Sequence, residues 1–74
     1  MKIVGRFYLK YSSDVLVETI YVKEEKKEET RAYIESLKQE LEASFKTGRM
    51  GSINLGELYI RTSEISAYKF YELE

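Results

Sequence analysis

The sequence predicts an α+β fold: two strands, one long helix, then two or three further strands, with the helix packed on one face of a mainly antiparallel sheet. Three observations carry this. Apolar and polar residues alternate toward both ends of the chain. Ile34, Leu37, Leu41 and Phe45 recur at helical spacing in its middle. Turn-forming residues stand where the period changes.

Lys2 to Tyr11 has period two. Ile3, Gly5, Phe7, Leu9 and Tyr11 fall on one face; Lys2, Val4, Arg6, Tyr8 and Lys10 fall on the other. Ser12-Ser13-Asp14 supplies turn chemistry of hairpin length, and Val15 to Val22 is β-branched and aromatic. The first two strands are therefore expected to pair as an antiparallel hairpin. The charge run from Lys23 to Glu29 leads into the apolar helical stripe. Its glutamates suit a helix N-terminus, Lys46 and Arg49 suit the other end, and Gly48 fits the position just beyond it. A helix from about Glu24 to Thr47 is expected. Thr30 is an alternative N-cap, which would leave the charge run as a loop. Beyond Gly51, Ile53 and Leu55 alternate, Gly56-Glu57 offers a turn, and Leu58 and Ile60 alternate again. Thr62-Ser63-Glu64 reads as a bend before a last strand from Ile65 to Leu73.

The 74 residues form a single domain, 1–74, with no internal boundary. A β-grasp is one option for this order of elements, with the first and last strands parallel beneath the helix. In that respect the order resembles the immunoglobulin-binding domain of protein G, a likeness of fold that implies nothing about function. An antiparallel sheet crossed by one helix fits equally well.

Composition narrows the chemistry. The chain has no cysteine and no histidine, which removes thiol nucleophiles, thiolate metal sites and the usual general base near neutral pH. The carboxylates are one aspartate, Asp14, and twelve glutamates without a calcium-loop pattern. No catalytic residue, metal site or cofactor is assigned, and the chain is not expected to be an enzyme. The longest apolar run, Val15-Leu16-Val17, is far below the roughly 20 residues of a membrane helix, and Arg6 breaks any leader-like stretch. A cytoplasmic protein with no membrane partner is expected. Net charge is −1, which argues against general nucleic-acid binding.

Both faces of the expected sheet are rich in apolar and aromatic residues, although one helix can cover only one of them. A second apolar face points to an interface, and a core this small benefits from association. The chain is therefore expected to associate with itself or with one other protein through Val4, Tyr8, Tyr68 and Phe70. Two other surfaces compete. Glu24, Glu25, Glu28 and Glu29 form a candidate acidic surface on the helix, suited to a basic groove on another protein. Lys2, Arg6, Tyr8 and Lys10 form a candidate basic-aromatic patch for single-stranded nucleic acid. Glu18 shares a face with Leu16 and Ile20; if buried there it needs a cation such as Arg6 or Arg61. The Gly48-Arg49-Met50-Gly51 segment reads as a helix end followed by a turn.

The stretch from Ile53 to Tyr68 (INLGELYIRTSEISAY) resembles small uncharacterised proteins of Gram-positive bacteriophages and prophages. The resemblance implies a phage accessory or virion component, located in the host cytoplasm or the virion, or an inhibitor of a host protein. It carries no functional residues with it.

Overall fold

A computed structural model describes residues 1–74. Strands β1 (Lys2–Leu9) and β2 (Val15–Tyr21) form the expected antiparallel hairpin. The Ser12 hydroxyl accepts the Asp14 N–H at 3.0 Å in the connecting turn. A short 3-10 turn (Glu24–Lys26) feeds helix α1 (Lys27–Thr47), so the charge run is helical from Glu24 onward and Thr30 lies inside the helix rather than capping it. The helix ends at Gly48, whose φ of 70° is left-handed and whose N–H reaches the Ser44 carbonyl at 2.9 Å.

Strands β3 (Ser52–Leu55) and β4 (Leu58–Arg61) pair as a hairpin. Gly56 occupies the first position of its two-residue turn with φ 60°, a conformation glycine adopts without steric penalty. Thr62 closes the base of this hairpin: its hydroxyl accepts the Gly51 N–H at 3.1 Å and donates to the Gly51 carbonyl at 3.2 Å. A second 3-10 turn (Thr62–Glu64) then turns the chain into β5 (Ile65–Leu73).

The strands form two sheets. One has the order β2-β1-β5, antiparallel throughout; the other is the β3-β4 hairpin alone. The first and last strands are neighbours but run in opposite directions, so the β-grasp option is excluded. The antiparallel sheet with one helix is the arrangement adopted.

The inner face of the three-stranded sheet carries Ile3, Phe7, Leu16 and Ile20, joined by Phe70, Tyr68 and Ile65 from β5. Ile34, Leu37 and Leu41 of α1 and Ile53, Leu55 and Ile60 of the hairpin complete the core. Gly5 sits at its centre. A Cβ there would lie 2.8 Å from the Leu55 Cδ2 and 3.0 Å from the Phe70 ring, so the missing side chain is what lets the hairpin and Phe70 approach β1. Phe70 then meets Phe7 edge to face, 5.6 Å between centroids at 81°. At the sheet's edge the Arg31 guanidinium bridges α1 to β5 through Glu72 at 2.9 Å. That bridge holds the Glu72 carboxyl below its ordinary range and the guanidinium above its own.

Candidate functional site

Antiparallel pairing in this register lays the outer face of the three-stranded sheet out as four rows. Each row takes one residue from β2, one from β1 and one from β5. Val15, Tyr8 and Ala67 form the first and Val17, Arg6 and Lys69 the second. Thr19, Val4 and Tyr71 form the third, and Tyr21, Lys2 and Leu73 the last. Neither α1 nor the β3-β4 hairpin packs here, because their buried side chains all join the core on the other face. Val15, Val17, Tyr8, Tyr21 and Leu73 are exposed, Tyr21 to 75%. Val4 is the exception: central on β1 between Thr19 and Tyr71, it is only 5% exposed.

Within the four rows the charge has one sign: Lys2, Arg6 and Lys69 lie there without a carboxylate, and Glu74 borders the face in the hollow it shares with Lys2 and Tyr21. None of the three cations takes part in an ion pair. Arg6 and Lys69 stand directly opposite each other across β1 and β5, a like-charge cross-strand pair that disfavours the fold. The Lys2 ammonium sits 5.5 Å from the Tyr21 ring centre and the Lys69 ammonium 5.6 Å from that of Tyr71.

The expected interface residues do not share a face. Val4 and Tyr8 are on the outer face; Tyr68 and Phe70 point inward, opposite Phe7 and Gly5. Two features account for this. The open space above Gly5 takes an aromatic ring, and a register irregularity between Tyr8 and Leu9 accommodates Ser66, so Ile65 reaches the core as well as Tyr68. The Ser66 hydroxyl donates to the Tyr8 carbonyl at 3.0 Å at this point. Tyr68 itself packs against Phe45, with centroids 6.0 Å apart, and donates to Glu42 at 2.7 Å. Burial, reinforced by that neighbouring carboxylate, pushes its phenol up to about 12.

The basic-aromatic patch is assembled in part. Lys2, Arg6 and Tyr8 form one column along β1, while Lys10 lies in the turn just past its end. Lys69, Tyr71 and Tyr21 complete the surface, and the patch read along a single strand omitted them. Their signal was the one-face alternation of Lys69, Tyr71 and Leu73, which needed the register against β1 to become legible. The acidic surface is largely neutralised within its own helix: Glu24 pairs with Lys27 at 3.1 Å, Glu29 with Lys26 at 3.2 Å and Glu28 with Arg31 at 2.9 Å. Of the four, only Glu25 has no ion-pair partner. Glu18 is half-buried on the inner face at the β2 edge. Its carboxylate accepts the Glu57 N–H at 3.3 Å from the hairpin turn, so a backbone donor takes the place of the expected Arg6 or Arg61.

Three surface hollows of about 300 to 350 Å³ complete the inventory. The one between α1 and β5 brings Arg31, Glu35, Lys38 and Glu72 together, already matched as Arg31–Glu72 and Lys38–Glu35. No helix is long and apolar enough to cross a membrane. Comparison with protein-family models, with curated proteins and with solved structures finds no match, and the phage resemblance rests on the Ile53–Tyr68 segment alone.

Proposed function

We propose that this chain is a non-enzymatic binding module whose working surface is the outer face of the β2-β1-β5 sheet. The observation that carries the reading is the four-row surface itself: Val15, Val17, Tyr8, Tyr21 and the three cations stay open to solvent while α1 and the hairpin both pack on the opposite side. Exposed apolar side chains interleaved with cations on one sheet face suit an interaction site. Chemistry supports the same reading. The chain offers no histidine or cysteine, and Glu24, Glu28 and Glu29 are paired with cations of their own segment rather than gathered across a cleft.

Site-specific photo-crosslinking tests this. A benzophenone amino acid replaces Val17 on the open face or Glu29 on the helix, and the chain is expressed in its native cell. Adducts from position 17 and none from position 29 are expected. Adducts from position 29 alone would move the working surface to the helix and overturn the proposal.

A further inference from the structure

We infer that the partner of the open face is single-stranded nucleic acid, a step that rests on the face being the binding surface. Three observations favour it over a second copy of the chain or another protein.

The first is charge. The chain carries −1 overall, yet the four rows hold three cations outside any ion pair and no carboxylate, Glu74 standing only at the Lys2 end, which leaves −4 on the rest of the molecule. Net charge is therefore a poor guide to what this face attracts. Two copies meeting face to face would set cations against cations with no counter-charge on either side. The second is the Arg6–Lys69 pair. Like charges directly opposite on adjacent strands destabilise a sheet, and an anion bound between them relieves that repulsion. The third is the combination of size and rings. Four rows across three strands span about 27 Å by 14 Å, roughly 400 Å² of projected area. That area suits a narrow strand whose bases stack on Tyr8, Tyr21 and Tyr71 while its phosphates meet Lys2, Arg6 and Lys69.

The test is fluorescence anisotropy with a labelled mixed-sequence single strand of about ten nucleotides, at low salt and with increasing salt. Saturable binding is expected in the range of ~10 to 100 μM, with log K falling against log salt at a slope of about −2, the value for three phosphate contacts on a single strand. Arg6→Gln/Lys69→Gln is expected to weaken binding about tenfold or more, and Tyr21→Ala by about fivefold or more. Circular dichroism confirms that both variants fold. Absence of saturable binding, or binding that Arg6→Gln/Lys69→Gln leaves unchanged, overturns the inference. Light scattering on the same samples separates this from failure of the reading beneath it. A doubled mass that Val17→Asp abolishes would assign the face to a second copy, overturning the nucleic-acid inference while the open face stands as the binding surface. A monomer with no oligonucleotide binding and no crosslink from position 17 would overturn both.

Discussion

The two faces of the β2-β1-β5 sheet share a backbone and differ in almost everything else. The inner face carries Ile3, Phe7 and Ile65, all buried beneath α1 and the hairpin. Its one charged residue on β2, Glu18, is met by a backbone N–H. The outer face is also rich in apolar and aromatic side chains, but apart from Val4 and the half-buried Tyr71 they are open, and its cations have no ion-pair partners. Apolar content alone therefore does not say which face holds the fold. What separates the faces is whether their polar groups are satisfied from within the chain. A face organised for stability satisfies them, and a face left for a partner does not.

Substitutions on the two faces should diverge accordingly. Leu41 is fully buried under the sheet, and Leu41→Ala is expected to lower unfolding free energy by about 3 kcal/mol in a urea titration. Gly5→Ala forces a methyl group against Leu55 and Phe70 and is expected to cost ~1 to 3 kcal/mol. Adding Leu55→Ala creates room for that methyl, so the double variant should lose less than the sum of the two single losses. If Gly5→Ala proves neutral, the close approach of the hairpin to β1 is not what Gly5 provides.

Alkaline pH probes the inner face through Tyr68. An ordinary tyrosine ionises near pH ~10. With its phenol pushed up to about 12 by burial and by Glu42, Tyr68 should ionise well above that ordinary value in ultraviolet difference spectra. Because the protonated form is favoured in the folded state, its contribution to stability is complete below the unfolded value and lost as pH rises from about 10 through about 12. Tyr68→Phe removes that component. Ionisation of Tyr68 near pH ~10 would place it outside the core.

The smallest effect on stability and the most diagnostic sits on the outer face. Lys69→Glu converts the Arg6–Lys69 repulsion into an opposite-charge cross-strand pair and is expected to stabilise the fold by ~0.2 to 1 kcal/mol. The same change should weaken oligonucleotide binding. A gain in stability accompanied by a loss of binding would show that the face is arranged for its ligand at a cost to the fold.

Much of this fold is legible in the amino-acid sequence. The first hairpin, the helix with its Gly48 terminus, the Gly56-Glu57 turn and the last strand all follow from period and turn chemistry. The side-by-side arrangement of strands does not, because alternation along one strand says nothing about which face of its neighbour it joins. Phe70 shows this. Read alone, it alternates with Lys69 and Tyr71 and belongs to either face. Only the empty position at Gly5 and the irregularity at Ser66 decide that it points inward. The candidate patch was half legible for the same reason: Lys2, Arg6 and Tyr8 lie on one strand, whereas Lys69, Tyr71 and Tyr21 join them only through pairing. The acidic surface differs in another way. Its glutamates were visible in sequence, and so were the lysines and arginine three residues away that neutralise them.

The central claim is that the outer face does not hold the fold together. Denaturant unfolding of Val15→Thr/Val17→Thr/Tyr21→Thr, which keeps strand propensity while removing apolar surface, tests it most directly. The account predicts a change in unfolding free energy within about 1 kcal/mol, with a midpoint independent of protein concentration. A loss as large as that of Leu41→Ala, or a midpoint in the unsubstituted chain that rises with concentration, would mean that this face is buried in solution and would contradict it.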